Sequence, residues 1–248
     1  MSPILAGVAF AVTAGAVVAV SAREARVALV GLAVTLAAAP FLADPLPPLS
    51  TLALRVVGAA LAAYLLRAAF ASAGVASDVR RRTSGQAGSR TGWPTEGLLA
   101  LAAWIVGITV SIHLEVLNPT GPGISSDDLL RTVTGASMST AAGLATSVIA
   151  IVPALRAQDG FRTAVGLLIL IQGALLFRTG VAGAPGDLEQ LADVALMLSA
   201  ALAGSILIAL ESARDAHTDR SDLDPWRSTP DRRATDGRAD GRVAEEPE

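Results

Sequence analysis

Seven apolar runs, each about long enough to cross a bilayer, are separated by breaks that hold most of the charge in this chain. A helix rises 1.5 Å per residue, so roughly 20 apolar residues match a hydrocarbon core of about 30 Å. A soluble domain of 248 residues would spread its charges along the sequence. Here 52% of residues are hydrophobic and 17% charged, and the charges sit between the runs and in the last segment. The runs lack the period-two alternation of a transmembrane barrel strand. The pattern predicts an all-α, polytopic transmembrane bundle of about seven helices.

The first run, 3–22, has no basic residue before it and is followed by Arg23 and Arg26. A secretory signal normally starts with a basic region, so a retained helix is expected, although Ala19 and Ser21 would also fit a cleavage site. The second run, 27–43, stops at Asp44-Pro45 and Pro47-Pro48, because proline lacks an amide proton and clashes with the preceding turn. The third is 49–73. Residues 74–95 hold Arg80, Arg81, Arg82 and Arg90 among Ser and Gly, and are expected to link a first three-helix bundle (1–73) to a four-helix bundle (96–212). The fourth run, 96–117, is closed by Asn118-Pro119. Ser125 and Ser126 before two aspartates fit an N-cap for the fifth, 129–155. Two long apolar helices joined by a short Gly/Pro/acidic turn fill 161–212. The remainder, 213–248, is rich in Arg, Asp, Pro and Gly and is expected to be a disordered cytoplasmic tail.

The arginines orient the bundle. All nineteen basic residues are Arg, and they concentrate after the first, third and fifth runs and in the tail, which alone carries seven. With seven spans these segments share one side, and the positive-inside rule places the N-terminus outside and the tail in the cytoplasm of a cell-membrane protein. Residual acidity (formal net charge −3) comes largely from the tail and signals no nucleic-acid partner. The absence of cysteine excludes thiolate zinc sites and Fe–S ligation by this chain.

Ionisable groups inside a bilayer cost a few kcal/mol each and need a reason to be there. By that criterion Arg55, His113, Glu115 and Asp193 are candidate intramembrane charge or proton-relay residues, with Gln172 as the polar group at the centre of the sixth run. Arg55, Glu115 and Asp193 fall at similar depth in the outer half, where pairing would offset desolvation. Snorkelling to the interface is the alternative for residues near helix ends, Arg178 and Glu189 above all. His113 offers an imidazole suited to proton exchange near neutrality, or merely a packed side chain. Gly135, Ser139, Gly143 and Ser147 recur every fourth position, a ladder suited to close helix packing, or to a polar path along that face. No HExxH, GxSxG, P-loop or Rossmann motif occurs in a fitting context, so no active site, metal or cofactor is expected.

The frame Arg162-x-x-x-Gly166-Leu167-Leu168-x-Leu170-x-x-Gly173 resembles the second helix of the K subunit of NADH–quinone oxidoreductase and the C subunit of multisubunit Na⁺/H⁺ antiporters. Ile169-Leu170-Ile171-Gln172-Gly173 followed by Glu189-x-x-x-Asp193 is most similar to the membrane component E of group 4 hydrogenases. The first bundle is weakly similar to the J subunit of complex I. The resemblance implies a non-catalytic membrane subunit of a redox-driven, ion-translocating complex. Its implied partners are antiporter-like membrane subunits and an Fe–S peripheral arm, besides the lipid bilayer. These families carry carboxylates in the helices concerned; this chain has Gln172 at the matching position, which favours a coupling or scaffolding role over proton conduction. The rival expectation is a free-standing membrane transporter or scaffold, against which no internal repeat is apparent in the sequence.

Overall fold

The computed structural model describes residues 3–22, 24–43, 46–77, 93–117, 135–156, 159–183 and 185–222, with side chains left out at 3, 74–77, 93, 114–117, 156 and 215–222. All the regular structure among them is helical: α1 (Pro3–Ser21), α2 (Ala25–Ala38), α3 (Leu49–Ser77), α4 (Trp93–Leu117), α5 (Gly135–Arg156), α6 (Gly160–Ala182) and α7 (Asp187–Asp222). Seven helices are long and apolar enough to cross a membrane, as in a multi-pass membrane protein. Their exposed faces are apolar, with Val30, Ile105, Ile206 and Leu210 each more than half exposed, whereas Thr35, Thr146, Gln172 and Asp193 are buried. Polar-in, apolar-out is the arrangement a lipid solvent demands.

Proline shapes the end of the second span. Pro40 cannot supply an amide proton, and α2 tightens there into a 3-10 turn, Ala39–Leu42. Together they give the 18-residue span Ala25–Leu42, about 27 Å of helix if its rise were uniform. At the far end of α6, Gly183 adopts φ +87° and its amide closes the helix onto Thr179 O at 3.0 Å, a left-handed conformation that suits only glycine well. The start of α6 is doubly capped: Asp159 accepts from Phe161 N at 3.0 Å, and Glu211, from α7, accepts from Gly160 N at 2.5 Å. Both carboxylates face the positive end of the helix dipole.

Helices α1 to α6, and α7 as far as Ser212, belong to one compact unit, Met1–Ser212. Within it α5 and α6 form the most intimate pair, α4 packs on α5, α1 packs on α2 and α5, and α2 also meets α3 and α6. Helices from either side of the 74–95 stretch thus share a single packed unit. α7 remains helical as far as Asp222, into the stretch expected to be disordered. Ala213, Arg214 and Ala216 are good helix formers, and extending an existing helix needs no new nucleus.

Small residues set the α5–α6 distance. Ser139 Oγ donates to Leu176 O at 2.9 Å across the pair. A Cβ on Gly143 would collide with Phe177 N and lie 2.7 Å from Gly173 O, and one on Gly173 would collide with Ser147 Oγ. Of the ladder Gly135, Ser139, Gly143, Ser147, the last three therefore face α6, with Gly173 opposite Gly143 and Ser147. Replacing Gly143 with Val should destabilise the bundle by about 1–3 kcal/mol, the usual cost of overpacking. The expected reading is a lowered melting temperature of the detergent-solubilised protein, while Ala at Gly7, whose Cβ would meet no neighbouring atom, should leave it unchanged.

Candidate functional site: a buried ion-pair cluster

Four charged side chains converge where the second turn of α3 meets the ends of α6 and α7. Arg55 Nη2 donates to Asp193 Oδ2 at 2.7 Å, and both side chains are almost enclosed, at 12% and 10% exposure. Arg178 lies outside them: its Nη1 is 3.4 Å from Asp193 Oδ1 and its Nη2 is 2.8 Å from Glu189 Oε1. The arrangement follows from helix geometry. Glu189 and Asp193 are four apart and share one face of α7, while Arg178 sits in the last turns of α6, whose connection to α7 is short. Two guanidiniums and two carboxylates sum to zero, so the cluster enters an apolar environment without net charge. Exposure falls from Glu189 and Arg178 inward to Asp193 and Arg55, a graded path from the bundle end to its interior.

Behind Arg55 and Asp193 lies a cavity of about 20 Å³, lined also by Gln172, Thr179, Leu36 and Met197. That is room for about one water molecule. Gln172 is 6% exposed, and Arg55 Nε is buried without a hydrogen-bond partner. Thr179 Oγ1 donates to Leu175 O at 2.8 Å, so its own proton is committed. The cavity thus joins a guanidinium, an amide and a carboxylate from three helices.

Of the residues singled out in the sequence, Arg55, Gln172 and Asp193 come together here. His113 does not join them by any contact: it is exposed on α4, and its Nδ1 lies 3.0 Å from Thr109 O of the same helix. Glu115 is near the end of α4, and its side chain lies outside the described residues. Ser139 and Gly143 lie on the α5–α6 contact, and Ser147 faces Gly173. Sequence reasoning gave Arg178 and Glu189 to the membrane interface; the structure pairs them with each other and ties Arg178 to Asp193. The four-residue spacing on α7, one turn from an arginine-ended α6, was the signal available. Thr179 carried none.

Comparisons with family models, curated proteins and solved structures give no match. The site must be understood from its own chemistry. Among the described residues no group of three or more His, Cys, Asp or Glu could hold a metal ion. What the cluster offers is paired charge, a hydrogen-bonding amide and space for water, the ingredients of charge compensation or relay.

Depth should separate the two arginines. Removing one partner of a buried pair costs about 3–5 kcal/mol, whereas a partly exposed pair contributes about 0–1 kcal/mol. Asp193→Ala should therefore lower thermal stability in detergent far more than Glu189→Ala, and Arg55→Ala more than Arg178→Ala.

Proposed function

We propose that this chain is a non-catalytic integral membrane subunit of a redox-driven, ion-translocating complex of the group 4 hydrogenase/complex I type, seated in the cell membrane with its N-terminus outside. Its role is coupling or scaffolding. The observation that carries the reading is the neutral cluster Arg55–Asp193–Arg178–Glu189 beside Gln172, whose inner pair, Arg55 and Asp193, is almost enclosed between α3, α6 and α7. Such a cluster is expensive in a pure anchor and useful where charge moves nearby. The stretch that carries the family resemblance, α6 and the first half of α7, supplies three of the four charges. Antiporter-like subunits would move most of the ions, and an Fe–S arm would carry the redox reaction.

Mild-detergent purification from the native membrane tests this reading. Co-purification of antiporter-like and Fe–S subunits is expected; recovery of the chain alone would sink it. In the assembled complex, Asp193→Asn should reduce ion translocation per electron, while Gln172→Glu should add a titratable group and alter its pH dependence. If neither variant changes turnover or translocation, the cluster serves packing only.

A free-standing transporter is the second reading. One observation favours it: α1 packs on α5 and α2 on α6, the paired arrangement expected of repeated halves around a central site.

A further inference from the structure

We propose that α1–α2–α3 and α5–α6–α7 are two copies of one three-helix unit, joined by α4, and that Arg55 and Asp193 are equivalent positions of the two copies meeting in one site. The inference goes beyond the functional reading above and holds whether or not the chain belongs to a complex.

Connectivity is the first support. A unit of three spans leaves the chain on the side opposite its start. A second copy in the same orientation therefore requires one extra crossing, and α4 is that crossing. Copies with parallel orientation are related by an axis along the membrane normal.

The hairpins match in register. Glu24 is the N-cap of α2 and Asp159 the N-cap of α6, an acidic residue at the same point of each hairpin. The same number of residues separates Ala19 from Ala154, Glu24 from Asp159, and Gly31 from Gly166. Those positions make the same contact in each hairpin: a Cβ on Gly31 would lie 2.6 Å from Ala19 N, and one on Gly166 would lie 2.8 Å from Ala154 N. Each pair of helices is thus pinned at the same height above its turn by a glycine facing an alanine backbone.

The third helices match as well. Arg55 stands as far into α3 as Asp193 stands into α7. From each, a buried stripe runs on with identical spacing: Ala59, Ala62 and Leu66 on α3, Met197, Ala200 and Gly204 on α7. Finally, each helix of the first copy touches its own counterpart. α1 meets α5, α2 meets α6, and α3 meets α7 through the Arg55–Asp193 bond and through Gly58, where a Cβ would lie 2.8 Å from Val194 Cγ1. A two-fold axis brings like against like only where equivalent positions lie beside it, so these contacts put the axis on the seam between the copies. The copies have diverged at the meeting point into a cation and an anion, and the cavity beside Gln172 lies on that seam.

Exchange of the two charges is the test. If the positions are equivalent, a swapped pair meets with the same reach from the same backbone geometry. The background is Arg178→Gln, which prevents repulsion between Arg178 and a relocated arginine. In it, Arg55→Asp and Asp193→Arg should each lower the melting temperature in detergent, and the double variant should regain more than half of the loss. A double variant no more stable than the single ones overturns the proposal. Should the single variants fail to fold, the double decides alone: melting close to the background supports equivalence, and failure to fold overturns it. Electron cryo-microscopy of the unaltered chain gives an independent measure. A half-turn about an axis along the bundle should lay α1–α3 on α5–α7 with Arg55 over Asp193; a register displaced by a helical turn or more overturns it.

Discussion

Lipid removes the usual reason for helices to associate, since a leucine is as comfortable against an acyl chain as against another leucine. What remains is close contact between backbones, and this bundle is built on it. Alanine, glycine, serine and threonine occupy the seams: Gly143 against Gly173 and Phe177, Ser139 against the Leu176 carbonyl, Gly15 and Gly31 against each other. Large apolar side chains divide between the two sides: Leu32, Leu66 and Leu168 fill the spaces between helices, whereas Ile105 and Ile206 face outward. At such separations a single added methyl group decides whether two helices fit, so the small residues specify which helices are neighbours as well as how tightly they pack.

Close packing in turn makes the charge cluster tolerable. Arg55 and Asp193 belong to different helices and meet only because α3 and α7 approach at Gly58 and Val194. With that approach the pair neutralises itself at 2.7 Å; without it Arg55 would stand alone in hydrocarbon and Asp193 would keep only Arg178. The same tight seam leaves a cavity of water size beside Gln172 in place of a channel. Packing and electrostatics here are one problem solved together.

Much of the fold was legible in the sequence because membrane solvation writes a strong signal. Run length, the Pro45–Pro48 break and the arginine distribution lead to seven helices in the places observed, although α7 runs about ten residues past its expected end. Depth along a helix follows from residue number, so the proximity of Arg55 to Asp193 could be anticipated. Rotation about the helix axis could not. It determines that His113 faces outward, that Arg178 turns toward Asp193, and that Thr179 reaches the cavity, and an all-apolar helix carries little periodic signal to fix it. The likeness between the two helix triplets was hidden for a related reason: it lies in which positions touch, while the residues filling them are interchangeable small and apolar types.

The bond from Glu211 to the Gly160 amide, considered together with the Arg178–Asp193 contact, has a mechanical side. The two lie at opposite ends of the α6–α7 pair, like rungs fixed across both ends of a ladder. Sliding of one helix along the other would break both at once, whereas tilting the pair as a block breaks neither. Any rearrangement around the cluster must then leave α6 and α7 moving together and take place at their border with α3. There the short ion pair from Arg55 to Asp193 is a polar link that would have to part.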